Sequence, residues 1–295
     1  MVAQIKVSVR TATESDRQPL ANLIHFETQV HRHLDWRHPL DWIGRTPYLV
    51  AERGQKAVAA LAIPPDPTEV AWIRLFAVSS DWSANEAWDV LWPAARSSLE
   101  QGDPITIAAI PLQSWFRELL EESYFQLEHN IVLLLWQAGQ ELPPAKDLPQ
   151  VTVRPMNFDD LPAVQELDST AFGPLWRNSL ESLELAFQQS ALATVAENEE
   201  GLVGYQISTA NPMGAHLARL AVQPHSQSRG IGYALLRDLL DQFVRRGALR
   251  VSVNTQENNS VSLALYEKAG FRPTGEVYPV YHLTPERLRR RPDIH

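Results

Sequence analysis

The sequence contains no cysteine, which excludes disulfide bonds, thiolate metal sites and a cysteine nucleophile. It has no apolar run of about 18 residues, and no charged leader precedes an apolar segment, so neither a membrane span nor a secretory signal is predicted. The net charge is −9, and the basic residues cluster only near the C-terminus, at Arg287, Arg289, Arg290 and Arg291. Nucleic acid is therefore a poor candidate partner. We expect a soluble cytoplasmic protein that binds neither nucleic acid nor membranes.

Metal-ligand patterns are also scarce. His31, His33 and His38 lie close to Asp35. Without cysteine, and without the order H-E-x-x-H, these residues do not have the pattern of a metal site. We predict that the protein holds no metal.

An internal repeat divides the chain of 295 residues, which is long enough for two domains. The segment 7–16 resembles 151–160, which lies 144 residues later, and Arg74–Val78 resembles Arg219–Val222. A segment of three prolines without periodicity separates the two copies, as linkers do. We predict one domain over 1–138, a linker over 139–150 and a second domain over 151–295, both with the same fold.

The second copy contains a predicted strand, a glycine loop and a helix in succession. The strand is Leu220, Ala221 and Val222, and the loop is Gln227, Ser228, Arg229, Gly230, Ile231 and Gly232. The first N–H groups of a helix have no partner within it and attract anions, and glycine allows a ligand to approach closely. The order Q-x-x-G-x-G differs from both the dinucleotide fingerprint and the P-loop. The loop predicts a phosphate site, or else a strand-to-helix turn that binds nothing.

A second motif follows this helix. Arg250–Asn254 alternates as a strand does, and a helix with marked ends follows: Asn258 or Asn259 is a plausible N-cap and Gly270 a plausible end. The pair Q-x-x-G-x-G and N-x-x-S-x-x-L-Y-x-x-x-G-F resembles the acetyl-CoA-binding core of the GNAT superfamily of acyltransferases. The resemblance implies an α/β protein of two tandem GNAT-type domains, each a mixed, mostly antiparallel sheet flanked by helices. This two-domain layout is similar to that of the mycothiol synthases.

The resemblance also implies site residues. The backbone of Leu220, Ala221 and Val222 would bind the pantetheine arm, and the loop Gln227, Ser228, Arg229, Gly230, Ile231 and Gly232 would bind the diphosphate. Asn259 and Ser262 would contact the coenzyme. Tyr266 would lie near the thioester sulfur as the catalytic acid, although it could instead be a half-buried tyrosine that packs on Phe271.

The first copy lacks these features, because the residues opposite the glycine loop include no glycine, no basic residue and two carboxylates. Gln113 stands opposite Asn259 and Leu120 opposite Tyr266. We predict a degenerate domain that binds no acetyl-CoA. Eight of the nine tryptophans lie in this half: Trp36, Trp42, Trp72, Trp82, Trp88, Trp92, Trp115 and Trp136. They are packing residues, or else some of them occupy the vacated coenzyme groove or line an acceptor pocket.

The predicted activity is N-acetyl transfer from acetyl-CoA to a primary amine of a small molecule or a peptide N-terminus, by direct attack. The general base is unassigned, since the glutamate that many GNAT members place on the central strands is missing; His216, grouped by alternation with Ala218 and Leu220, is a weak candidate. Candidates for the acceptor pocket, or for plain packing, are Phe172, Trp176, Tyr278, Tyr281 and His282. Two alternatives stay open. The protein could be a non-catalytic acyl-CoA-binding regulatory module, or it could transfer an acyl group longer than acetyl. A monomer or weak homodimer is expected.

Overall fold

The computed structural model describes residues 7–144, 146, 148 and 150–289. They form two compact units. The described residues up to Glu128, together with those from Pro279 onward, make the first unit, and His129–Tyr278 make the second. Arg290, Arg291 and positions 145, 147 and 149 of the predicted linker lie outside the described residues.

The first unit contains an antiparallel sheet in the order β1-β3-β4-β6-β2, with helices on its faces. Its strands are β1 (Val7–Thr11), β2 (Gln29–Arg32), β3 (Tyr48–Arg53), β4 (Lys56–Ala62), β5 (Val70–Trp72), β6 (Leu75–Val78) and β7 (Thr106–Ala109). Its helices are α1 (Arg17–Phe26), α2 (Ala84–Glu100), α3 (Ser114–Glu122) and, near the end of the chain, α8 (Pro285–Arg289). Trp42 and Trp88 are buried in its cores, as the packing interpretation of the tryptophans predicts.

The second unit has an antiparallel succession of four strands, β9 to β12, and a parallel neighbour, β13. Its strands are β9 (Thr152–Pro155), β10 (Leu192–Asn198), β11 (Gly201–Asn211), β12 (Gly214–Val222) and β13 (Arg250–Gln256). Its helices are α4 (Leu161–Ala171), α5 (Leu180–Gln188), α6 (Ile231–Arg245) and α7 (Ser260–Lys268). Both units therefore have the predicted fold class.

Two long strands cross the division between the units: β8 (Gln126–Gln137) and β14 (Arg272–Leu283). Residues 131–137 of β8 pair with β13 in the second unit, where Leu134 and Trp136 join the core. Residues 281–283 of β14 pair with β7 in the first unit. Each unit thus includes a strand segment from the other copy of the repeat. The compact units divide the chain after Glu128 and after Tyr278, and not at the predicted boundaries of 138 and 151.

Matched ion pairs support the internal repeat. Arg10 binds both carboxylate oxygens of Asp16 at 2.7 Å and also pairs with Glu52. At the equivalent place in the second copy, Arg154 binds Asp160 at 2.7 and 2.9 Å. The Arg10 guanidinium, which donates hydrogen bonds to Asp16, lowers the pKa of that carboxyl to about 2.

None of the described helices is long and apolar enough to cross a membrane. Within the described ranges, no group of three or more histidine, aspartate or glutamate side chains is arranged to hold a metal ion.

Candidate active site

The two central strands of the second unit separate along their length. β12 pairs in parallel with β13 over only three residues, Ala215–Leu217 against Val251–Val253. On its other side, β12 has a bulge at Ala218, since Leu217 pairs with Ser208 while Arg219 pairs with Ile207. Bulges increase the local twist of a strand. Beyond Leu217, the β12 edge that faces β13 therefore carries backbone groups without a ladder partner among the described strands.

The glycine loop lies at the end of this edge. Gly230 is the N-cap of α6 with φ of +105°, a left-handed conformation that favours glycine, and no side chain caps the helix. The N–H groups of the first turn, from Ile231 to Tyr233, thus have no acceptor within the helix. Gln227 donates its amide to the carbonyl oxygen of Val222 at 3.1 Å, which fastens the loop to β12.

Close packing accounts for the second glycine of the motif. A Cβ at Gly232 would lie 3.4 Å from the Leu265 side chain and 3.6 Å from that of Val222. The Ile231 side chain is buried in the core, so only its backbone faces the loop. The N-terminal end of α6 therefore lies where β12, the glycine loop and α7 meet.

Helix α7 carries the remaining predicted coenzyme residues. Asn259 is its N-cap, and its side-chain oxygen accepts a hydrogen bond from the Ser262 N–H at 3.1 Å. The Asn259 amide also donates to Gln256 at 3.2 Å. Ser262 is half-buried one turn before Tyr266.

Tyr266 is buried, with 5% of its surface exposed, and its ring centroid lies 5.6 Å from that of Phe271. Burial raises the pKa of its hydroxyl. No described residue forms a hydrogen bond with that hydroxyl. The side chain both packs on Phe271 and retains an unused donor.

His216 lies on β12 and shares a hydrogen bond of 2.9 Å between its Nδ1 and the Ser252 hydroxyl on β13. Burial lowers the pKa of His216, so the imidazole is neutral near pH 7. The prediction that His216 shares a face with Ala218 and Leu220 is wrong, because the bulge shifts the alternation. His216 instead shares a face with Arg219 and Ala221.

Sequence reasoning missed a buried polar network on this face. Asp168 of α4, which is fully buried, accepts hydrogen bonds from Arg219 Nε at 2.7 Å and from the Tyr205 hydroxyl. Arg219 also donates to the Trp176 carbonyl oxygen at 2.6 Å, and its guanidinium lies 3.8 Å from the Phe172 ring centroid. Phe172 and Trp176 are therefore held against the strand that carries the predicted coenzyme edge.

The other acceptor-pocket candidates fall in different units. Tyr278 belongs to the second unit, whereas Tyr281 and His282 belong to the first. There, the Tyr281 hydroxyl donates to Glu121, and His282 lies 3.1 Å from Glu128.

The described residues of the segment predicted as a linker lie in the second unit, and several of them contact α6. The Pro143 carbonyl oxygen accepts hydrogen bonds from the Tyr233 hydroxyl at 2.6 Å and from Arg237 at 3.1 Å. Leu142 packs against the core below α6. The aliphatic chain of Lys146 lies 3.5 to 3.8 Å from the position of a Cβ at Gly230. This segment therefore brings a cation beside the glycine loop, which its composition does not indicate.

Among the described residues of the first unit, the strand equivalent to β12 has no comparable open edge. Strand β2 pairs antiparallel with β6, the counterpart of the end of β12, from Gln29 opposite Val78 to Arg32 opposite Leu75. Along this edge of β6, the first unit's own backbone provides the hydrogen-bonding partners. The four residues of β2 include no tryptophan, whereas Trp88 and Trp115 pack on Phe76 of β6, with ring centroids 5.2 and 6.0 Å apart.

A model of the Acetyltransferase (GNAT) family matches residues 161–271. The N-alpha-acetyltransferase RimI of Mycobacterium tuberculosis is 32% identical over 135 residues, which are 44% of this chain and 83% of that protein. The mycothiol acetyltransferase of Clavibacter sepedonicus is 28% identical over 164 residues, 53% of this chain and 51% of that protein. A tandem GNAT protein from the clavulanic acid biosynthesis pathway has a similar fold, with a TM-score of 0.63 and 15% identity over 95% of this chain and 99% of that one.

Proposed function

Because the chain belongs to the GNAT family of acetyltransferases, we propose that its second unit transfers an acetyl group from acetyl-CoA to a primary amine. The observation that carries this proposal is the meeting of an unpaired strand edge, an uncapped helix N-terminus and a buried tyrosine within one unit. These three features suit the three parts of the donor: the pantetheine arm, the diphosphate and the thioester.

We assign the donor contacts as follows. The backbone of Leu220, Ala221 and Val222 binds the pantetheine arm, and the N–H groups of the glycine loop bind the diphosphate, with charge from Arg229. Asn259 acts through its amide, since its side-chain oxygen already caps α7. Ser262 contributes its hydroxyl, and Tyr266 lies at the thioester end.

The reaction is direct attack. The amine nitrogen forms a bond to the thioester carbonyl carbon, the carbon–sulfur bond breaks, the amine loses a proton, and coenzyme A leaves as a thiol that gains one. The chain has no cysteine, and His216, whose imidazole shares a hydrogen bond with the Ser252 hydroxyl, has no orienting carboxylate among the described residues, so no covalent enzyme intermediate is expected.

Tyr266 stabilises the departing sulfur by a hydrogen bond. With ordinary pKa values, full proton transfer from a phenol to a thiolate is uphill by about 2 kcal/mol. Burial raises the pKa of Tyr266 further, which makes full transfer less favourable still. A hydrogen bond that strengthens as charge develops on sulfur needs no such transfer.

The chemistry of the acceptor compensates for the missing carboxylate base. At about pH 7.5, an α-amine with a pKa near 7.7 to 8 is roughly a quarter to two-fifths neutral, whereas a lysine-like amine with a pKa near 10.4 is neutral about once in 10³. We assign to neutral His216 the role of taking the remaining proton through water. Of the two relatives described above, one is named an N-alpha-acetyltransferase and the other a mycothiol acetyltransferase. Both acceptor classes therefore belong in the test.

A non-catalytic acyl-CoA-binding module is the second candidate, favoured by the absence of a carboxylate on β12 and β13. Thiol release from acetyl-CoA, measured with small amines and with peptides that have free or blocked N-termini, separates the two. Turnover with any free amine supports the transferase. Stoichiometric binding with no turnover on every acceptor supports the module.

A further inference from the structure

The second unit contains a cavity of about 800 Å³ beside the start of β12 and the C-terminal end of α6. The glycine loop lies at the other end of both elements, and the 15 residues of α6 span about 22 Å. The cavity is therefore separate from the proposed coenzyme site. Its volume lies within the range for small-molecule sites, about 300 to 1,000 Å³.

Two arginines line this cavity, and each is anchored by one hydrogen bond. Arg246 donates from Nη1 to the Ala191 carbonyl oxygen at 2.7 Å. Arg250 donates from Nε to the Met213 carbonyl oxygen. Neither arginine forms an ion pair with a described carboxylate, and none of the described lining residues is acidic. Each guanidinium therefore keeps further N–H groups that can donate to an anion.

Gly214 holds Arg250 in place. Its φ of +147° is a conformation that side chains disfavour, and a Cβ there would lie 2.8 Å from Arg250 Cγ and 2.9 Å from the Arg250 carbonyl oxygen. The Arg250 stem thus packs directly on the glycine backbone, which restricts the positions of its guanidinium. An arginine that is restricted in this way loses less conformational freedom when it binds a ligand.

The cavity also has an apolar part. Met213 and Leu249 line it, with 70% and 77% of their surfaces exposed. A ligand that covers these side chains removes apolar surface from water, which favours binding. The lining therefore suits a molecule with an anionic end and an apolar end.

The C-terminal end of α6 carries partial negative charge, which opposes an anion. Its last carbonyl oxygens accept hydrogen bonds from the backbone N–H groups of residues 246–248. The partial charge of a helix end is about half an elementary charge, and Arg246 and Arg250 each carry a full positive charge. The arginines therefore decide the sign, and the cavity favours an anion.

We propose that this cavity binds a small organic acid in which a carboxylate is joined to an apolar group. The carboxylate pairs with Arg250, the arginine that Gly214 holds, and Arg246 adds positive charge. The apolar group covers Met213 and Leu249.

Calorimetric titration of the full chain with 3-phenylpropionate, 3-phenylpropionamide and acetate tests this. The amide keeps the apolar group without the charge, and acetate keeps the charge without the apolar group. The dissociation constant of 3-phenylpropionate should be about 1 mM or lower, and those of the other two probes about tenfold higher or more. No saturable binding of 3-phenylpropionate, or equal affinity for it and either comparison probe, overturns the proposal.

Variants at exposed arginines locate the binding in this cavity. Arg250→Gln keeps the stem that packs on Gly214 and removes the charge, so it should weaken 3-phenylpropionate by about tenfold. Arg246→Gln should also weaken it. Arg245→Gln is the matched control, because Arg245 is an exposed residue of the last turn of α6 that does not line the cavity. Unchanged binding in Arg250→Gln, or an equal loss in Arg245→Gln, overturns the proposal.

Discussion

Tyr266 shows how burial defines a catalytic role. The side chain is 95% buried, its hydroxyl has no hydrogen-bond partner among the described residues, and its raised pKa keeps it protonated throughout the working pH range. A group that stays protonated can donate a hydrogen bond at every stage of the reaction. The same burial makes it a poor source of a full proton.

Replacing Tyr266 by phenylalanine removes the donor and preserves the ring contact with Phe271. We expect turnover to fall by about 10² to 10⁴, while the dissociation constant of acetyl-CoA stays nearly unchanged. Steady-state thiol release and calorimetric titration measure the two quantities. Tyr124→Phe, at an exposed tyrosine of the first unit, is the control. Undiminished turnover in Tyr266→Phe would remove the residue from the mechanism.

The pH dependence of turnover tests His216. Protonation of the acceptor amine lowers turnover as the pH falls through about 8. Because the neutral form of His216 accepts the proton and burial lowers its pKa below the ordinary 6.5, His216 should add a second, steeper fall, an acid limb below pH 6.5. In His216→Gln this acid limb should disappear and the plateau rate should be lower. His225→Gln, at an exposed histidine, should retain the wild-type profile. An unaltered acid limb in His216→Gln would exclude it as the base.

Residues within the two motifs could be predicted from the sequence, because their spacing in the chain reflects a local structure. The network of Asp168, Tyr205 and Arg219 could not be predicted, because Tyr205 and Arg219 follow Asp168 by 37 and 51 residues in the sequence. No periodicity relates a helix carboxylate to an arginine on a distant strand. The position of Lys146 beside Gly230 was equally inaccessible.

At the scale of elements, the N-terminal end of α6 requires glycine for conformation. Alanine at Gly230, where φ is +105°, costs about 1 kcal/mol of backbone strain. Gly247, beyond the other end of α6, has φ of +83° and open space around it, so Gly247→Ala is a matched control. Both variants should lower thermal stability, and only Gly230→Ala should also weaken acetyl-CoA binding. Equal coenzyme affinity in both variants would contradict the assignment of the loop.

The segment that carries Lys146 gives a second prediction at this scale. Because its side chain lies beside the glycine loop, to which we assign the diphosphate, Lys146→Ala should weaken acetyl-CoA binding by about two- to fivefold. The difference from wild type should shrink at high salt. Lys56→Ala, at an exposed lysine of the first unit, should have no effect. If the two variants bind alike, the segment does not contribute to the coenzyme site.

Strands and helices of the second copy were predictable because glycine and asparagine mark their ends. The bulge at Ala218 was not, since no proline or glycine marks it, and it reversed the predicted face of His216. The exchanged segments of β8 and β14 also escaped prediction, because an apolar strand pattern does not indicate which sheet it joins.

At the scale of the whole molecule, the two copies of the fold differ in the strand pairing along one edge of a central strand. In the second unit the end of β12 has no ladder partner among the described strands on the side of β13, and in the first unit β2 pairs along the corresponding strand. We therefore predict one equivalent of acetyl-CoA per chain in a calorimetric titration. Two equivalents would show that the first unit binds the coenzyme despite β2.

The most direct test of the account is mass spectrometry of an acceptor incubated with the protein and acetyl-CoA. We predict one added acetyl group on acceptors with a free primary amine, none when that amine is blocked, and far less product with Tyr266→Phe. Full occupancy by acetyl-CoA without acetylation of any amine would contradict it.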